Sequence, residues 1–290
     1  MKVIMDIKGG YGNQLFCYAL GYAASKRLQA QLWLDTSMLT HHIVKNRQAE
    51  ILHLNIAYDK LITYPYDRRF LYRKLGVNRI RKRNAIGWNT NIYREQQLIA
   101  YDPEVFGIKK DTYFDGFWQN PDYFDQYREE LLTLLQPKEK KTKSVMALAE
   151  RMQQEESVSV HVRRGDYVGL SWDLPMSYYE TAMNRMEELL GEALHYYIFS
   201  DDMDYAREYY KDSGRQITFV SYDSPSPVRD DMYLMSRCRH NIIANSSYSW
   251  WGAYQNQNPK KHVICPKIGM WDEKFYLKNW HKIEVPDNSR

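Results

Sequence analysis

The hydrophobic pattern divides the chain into short apolar runs and stretches of helical period. Residues 2–8 suit a strand and end at Gly9-Gly10-Tyr11-Gly12, after which Phe16, Leu20 and Ala23 share one face of a helix running from Asn13 toward Gln29. A strand at 31–34 follows, and the region 37–111 shows no clean period. A further strand is predicted at 112–117, and Asn120-Pro121 opens an amphipathic helix through Leu135, stopped by Pro137. The charged segment 138–143 reads as a link between an N-terminal lobe, 1–140, and a C-terminal lobe, 141–290.

The second half is more regular. Helices are predicted at 144–154, 177–190, 202–211, 226–237 and 247–257, alternating with strands at 157–163, 195–199, 216–220, 241–244 and 262–265. This alternation is the pattern of a doubly wound α/β sheet. Within 157–163, Val158, Val160 and Val162 point to one side while His161 and Arg163 point to the other. The first face is expected to be buried and the second to meet a ligand.

Composition narrows the class. With 290 residues, 26% charged and no apolar run near the roughly 20 residues that span a bilayer, the chain reads as a soluble globular enzyme. The start, 1–7, carries Asp6 and stops at the glycines, too soon for a signal peptide. Cys17, Cys238 and Cys265 are odd in number and far apart, against a disulfide framework or a CxxC metal site, so a cytoplasmic location is expected. Net charge is +4, yet Arg68, Arg69, Arg73, Lys74, Arg79, Arg81, Lys82 and Arg83 lie between Asp67 and Glu95 with no acid among them. Leu71, Tyr72, Leu75, Val77 and Ile80 interleave with these charges, a pattern shared by a solvated helix face and by a peripheral membrane contact. The small net charge and lack of a nucleic-acid motif weigh against nucleic acid.

Three corners carry candidate chemistry. His161-Val162-Arg163-Arg164-Gly165-Asp166 places two guanidinium groups at a strand's carboxyl end, where they suit a diphosphate or, alternatively, a surface ion pair. Gly9-Gly10-Tyr11-Gly12-Asn13-Gln14 suits an anion at a helix start, or a tight turn with Asn13 as the cap; it is not a Walker loop. Asn245-Ser246-Ser247 repeats the strand-to-helix corner, with Ser246 and Ser247 donating hydrogen bonds to phosphate or capping a helix, and Trp250 and Trp251 read as core in preference to stacking on a ligand. Asp202-Met203-Asp204 fits a metal-holding Asp-x-Asp but better fits the first turn of a helix capped by Ser200. Asp230, Asp231 and His240 are candidates for reading a base edge. Together these corners point to a nucleotide diphosphate in an interlobe cleft.

Taken in order, Gly9-Gly10-Tyr11-Gly12-Asn13-Gln14-Leu15-Phe16, Asp115-Gly116-Phe117-Trp118-Gln119, His161-Val162-Arg163-Arg164-Gly165-Asp166-Tyr167, Phe199-Ser200-Asp201-Asp202 and Asn245-Ser246-Ser247-Tyr248-Ser249-Trp250-Trp251-Gly252-Ala253 resemble the alpha-1,2-fucosyltransferase family. The His-x-Arg-Arg-x-Asp run is shared with alpha-1,6- and protein O-fucosyltransferases. The resemblance implies a GT-B-like fold of two facing α/β lobes, with GDP-fucose held by the C-terminal doubly wound lobe and the acceptor beside the N-terminal one. It implies inverting transfer to a terminal β-galactoside of a glycan without a required metal. It matches Arg163 to the arginine on the β-phosphate, His161 and Asp231 to nucleoside contacts, Ser247 to a serine near the phosphates and Asn13 to a loop residue reaching the donor. Lacking the membrane anchor usual in eukaryotic members, the chain resembles a bacterial member acting in the cytoplasm.

For the proton of the acceptor hydroxyl, Asp166 is the first candidate, with Asp173 and Asp115 behind it and pairing with Arg164 as Asp166's alternative role. The competing classes are a fucosyltransferase of other linkage, a metal-dependent transferase using Asp202 and Asp204, and a non-catalytic anion- or glycan-binding module.

Overall fold

The structure is a computed structural model that describes residues 1–40, 47–191, 193–269 and 274–285. It separates into two compact units, Met1–Glu139 and Lys140–Arg290.

The first unit runs β1 (Lys2–Asp6), α1 (Tyr11–Leu28), β2 (Gln31–Asp35), the single turn α2 (Ser37–Thr40), β3 (Lys60–Ile62), α3 (Phe70–Lys74), α4 (Val77–Ile86), β4 (Asn91–Arg94), β5 (Thr112–Asp115) and α5 (Arg128–Leu134). Its five strands are parallel in the order β3-β2-β1-β5-β4. The pattern misses β3 and β4 because strands of three and four residues leave no readable period. The helix expected from Asn120 is broken. Asn120 caps a 3₁₀ turn at Pro121–Tyr123, a second turn covers Asp125–Tyr127, and α5 starts only at Arg128. Phe124 is wholly buried with its ring 5.8 Å from that of Phe16, so core packing overrides helical spacing.

The second unit runs α6 (Lys143–Gln154), β6 (Ser157–Val162), α7 (Gly165–Leu170), α8 (Met176–Leu190), β7 (His195–Ser200), α9 (Met203–Tyr210), β8 (Gln216–Phe219), α10 (Pro227–Arg237), β9 (His240–Ile242), α11 (Ser247–Gln255), β10 (Val263–Lys267) and β11 (His281–Glu284). All six strands are parallel in the order β11-β10-β9-β6-β7-β8. The chain builds outward from β6 to β8, then crosses back to lay β9 against the other side of β6. That reversal is the topological switch point of a doubly wound sheet, where ligands bind at the strands' carboxyl ends.

One expectation fails at β6. Every residue of this central strand is buried, including Ser157, Ser159 and His161, because helices cover both faces of a parallel sheet. Of the face expected to meet a ligand, His161 is buried within the strand and Arg163 lies just past its end. Trp250 and Trp251 are wholly buried in α11, as core side chains.

Candidate active site

β6 ends at Val162 and the chain turns at once into α7. Gly165 allows this turn, since a Cβ there would lie 2.3 Å from Oδ2 of Asp201 on the neighbouring strand's exit. Asp201 accepts from the backbone N–H of Arg164 at 2.8 Å and pairs with Nη1 of Arg163 at 2.6 Å. Nη2 of Arg163 donates to Asp166, and its guanidinium lies 5.0 Å from the Tyr167 ring centroid. Nε of Arg163 is buried and, among the described residues, has no partner.

Arg164 is held differently. Its Nε donates to Asp202 at 3.0 Å, Nη1 to Asp173 at 3.3 Å, and its guanidinium rests 3.5 Å from the Tyr205 ring centroid. The alternative pairing of Asp166 with Arg164 is therefore corrected: Asp166 holds Arg163, while Asp173 and Asp202 hold Arg164. Asp202 also caps α9 by accepting from the Tyr205 N–H at 3.3 Å, which replaces the expected Ser200 cap. Ser200 instead donates to the Val162 carbonyl at 2.8 Å, tying β7 to β6. Among the described residues no three His, Cys, Asp or Glu side chains converge as a metal site.

His161 is 4% exposed, and burial, reinforced by the Arg163 charge, pushes its pKa down to about 3, so it is a neutral imidazole. Its Nδ1 is buried and, among the described residues, has no partner. Its ring lies 5.4 Å from that of Tyr248. Beside it, Asn245, Ser246 and Ser247 form the corner after β9. Ser246 caps α11 by accepting from the Tyr248 N–H at 3.3 Å. The Asn245 amide donates to the Trp172 carbonyl at 2.9 Å, while its Oδ1 is buried with no partner among the described residues. Val160 pairs with Ile242 across the two strands, so continuing the register brings Asn245 alongside Arg163. Three buried polar atoms with unmet hydrogen bonds, on His161, Arg163 and Asn245, thus gather at the switch point. Such groups each cost about 1–3 kcal/mol unless a ligand or water answers them.

The base-reading candidates separate. Asp230 is buried in an ion pair with Lys141 and accepts from Ser224. His240 lies at the start of β9, the end remote from the arginines, bonded to Glu156 at 2.8 Å and to the His262 N–H at 2.9 Å. Asp231 remains; it accepts from the Tyr222 hydroxyl at 2.5 Å, and burial raises its carboxyl to about pKa 6.

In the first unit, Gly10 rather than Asn13 precedes α1, so Asn13 is not the cap. Gly9 has φ +74°, and Asn13 accepts from the Gln119 amide at 2.7 Å, which joins two of the motifs. Asp115 accepts from Lys8 at 2.7 Å and pairs with Arg94 at 3.3 Å; although partly buried, it is held below its usual pKa chiefly by Lys8. That makes it a weak proton acceptor.

Sequence reasoning gave no role to Asp201, Tyr167 or Tyr205. Asp201 stood in a quoted motif, but its bond to Arg163 crosses from one strand to the next and leaves no local signal.

The sequence model of Glycosyl transferase family 11 matches residues 2–284. The chain belongs to this family. As a family 11 glycosyltransferase it is an enzyme, and the likeness to alpha-1,2-fucosyltransferases is borne out. It is 30% identical over 290 residues to an alpha-1,2-colitosyltransferase of Escherichia coli, covering 96% of this chain and 95% of that protein. It is also 30% identical over 304 residues to the O-antigen biosynthesis glycosyltransferase WbnK of Escherichia coli, covering 94% and 98%. Its fold is shared with the NodZ alpha-1,6-fucosyltransferase soaked with GDP-fucose, at TM-score 0.50 and 16% identity over 88% of this chain and 92% of that one. The GT-B type of this family 11 enzyme, two parallel-sheet α/β units, agrees with expectation. Among the described residues no helix is long and apolar enough to cross a membrane.

Proposed function

We propose that this enzyme moves L-fucose from GDP-fucose to the 2-hydroxyl of a terminal β-galactoside, in α linkage, with inversion and with no metal cofactor. The observation that carries the reading is Arg163, whose buried Nε has no partner among the described residues, together with the likewise unmet buried Nδ1 of His161 and Oδ1 of Asn245. Arg163 takes the β-phosphate with its fork, the Ser246 and Ser247 corner takes phosphate oxygens, and His161 and Asp231 meet the nucleoside. Arg164, held on two carboxylates and a ring, positions the turn.

In the transfer, the acceptor oxygen forms a bond to the anomeric carbon while the bond to the β-phosphate oxygen breaks, and negative charge grows on GDP. Arg163 stabilises that charge. When a phosphate takes the guanidinium, Asp166 is released to accept the hydroxyl proton. A second reading keeps every role but substitutes colitose for fucose, favoured by the named activity of the Escherichia coli relative. The reading also includes peripheral contact with a membrane through the stretch from Arg68 to Arg83.

The test is product analysis with GDP-fucose, a soluble β-galactoside-terminated acceptor and a chelator. An α-1,2-linked product formed at an undiminished rate is expected. A 1,6-linked product, or activity lost in the chelator, would overturn the linkage or the metal-free mechanism respectively.

A further inference from the structure

Helix α3 contributes no buried residue to the first unit. Phe70 is 78% exposed, and Leu71 and Leu75 are each 62% exposed. The next helix, α4, is anchored by its inner face alone: Ile86 is buried in a cluster with Ile4, Ile62 and Tyr113, and Lys82 lies 3.7 Å from the Tyr113 ring centroid. On its outer side Ile80 and Asn84 are exposed; past the helix end, where Gly87 turns the chain at φ +96°, Trp88 is also exposed and its indole N–H donates to Asn84 at 3.0 Å. Trp88 also walls a cavity of about 580 Å³ that Lys2, Lys109 and Lys110 help to line.

Along α3 and α4 the charges are of one sign, while Lys2 beside the cavity is paired with Asp111 at 3.1 Å. No acidic residue occurs between Asp67 and Glu95. Asp67 is occupied by Arg69, and among the described residues none of Arg73, Lys74 and Arg79 is paired with a carboxylate. Exposed aromatic and aliphatic side chains interleaved with unpaired cations, beside the exposed Trp88, fit the boundary of an anionic bilayer rather than a protein groove.

We propose that α3 and α4 form a docking face for an anionic lipid surface, with Phe70, Leu71 and Leu75 entering the headgroup boundary and Arg73, Lys74 and Arg79 resting on lipid phosphates. This deepens the proposed function and rests on it in one respect, that the enzyme works at a membrane.

The test is flotation of the full chain with vesicles of phosphatidylcholine containing 30% phosphatidylglycerol, against pure phosphatidylcholine, at low and high salt. The protein should float with the anionic vesicles and not with the neutral ones. Changing Arg73, Lys74 and Arg79 together to Gln should weaken partitioning on the order of 100-fold. High salt should release the protein by screening the charges, and changing Phe70, Leu71 and Leu75 together to Ser should weaken flotation with the anionic vesicles at low salt by at least about tenfold. Equal floating on neutral vesicles, no floating at all, or variants that float like the parent would overturn the proposal. So would retention on heparin without vesicle binding, which assigns the face to a soluble polyanion. Both variants should transfer to a soluble acceptor within twofold of the parent. A parent protein inactive on that acceptor yet floating normally would sink the proposed function and leave the docking face standing.

Discussion

At the scale of single residues, the twin arginine divides its labour. Arg164 is fixed by Asp173, Asp202 and the Tyr205 ring, whereas Arg163 keeps a buried Nε with no partner among the described residues. Asp166→Asn should lower kcat by at least 100-fold with little change in the KM for GDP-fucose. A large KM change with kcat preserved would make Asp166 a support for Arg163 instead. Asp231 gives a pH prediction of definite sign. Its carboxyl titrates near pH 6 in the fold against 3.8 ordinarily, so its favourable contribution to stability is full below 3.8 and lost as pH rises through 6. Asp231→Asn, which can still accept from Tyr222, should stabilise the unliganded protein at pH 8 by on the order of 2–3 kcal/mol, read as a higher Tm. The same change should abolish the weakening of GDP binding expected in the parent below pH 6, because only the carboxylate matches paired N–H donors. Calorimetric titration at pH 5 and pH 8 checks both signs. Arg163 was legible because two arginines at a strand end are a local signal; Asp201 was not, because its partner lies 38 positions earlier on another strand.

At the scale of elements, the strand-helix alternation of the second unit was readable because each element is long enough to show its period. The first unit was read less well: β3 and β4 are short, and the turns after Asn120 follow the burial of Phe124 rather than helical spacing. β6 shows the limit of alternation, since a strand covered on both faces has no solvent side. The site therefore depends on the β6–α7 turn. Gly165→Ala places a methyl on Asp201, a flexible side chain that can swing aside at modest cost, but not while bonded to Arg163. The variant should stay folded, with Tm within a few degrees of the parent, and lose at least tenfold in kcat/KM. A variant as active as the parent would show that Asp201 does not support Arg163.

At the scale of the whole molecule, each unit has its own parallel sheet and its own buried cluster, and the division falls between Glu139 and Lys140. The second unit contains the switch point, the arginines and the unmet polar atoms. Residues 140–290 expressed alone should fold and bind GDP within about tenfold of the full chain, yet transfer no sugar, as fluorescence titration and product assay would show. A fragment that folds but has no measurable GDP affinity would move the donor site away from β6 and β9.

The central claim is that Arg163 stabilises the departing diphosphate at that switch point. The most direct measurement is acceptor-dependent GDP release from GDP-fucose by the parent and by Arg163→Ala, at matched Tm. The account predicts a fall on the order of 100- to 1000-fold in kcat for the variant. Release within tenfold of the parent would contradict it.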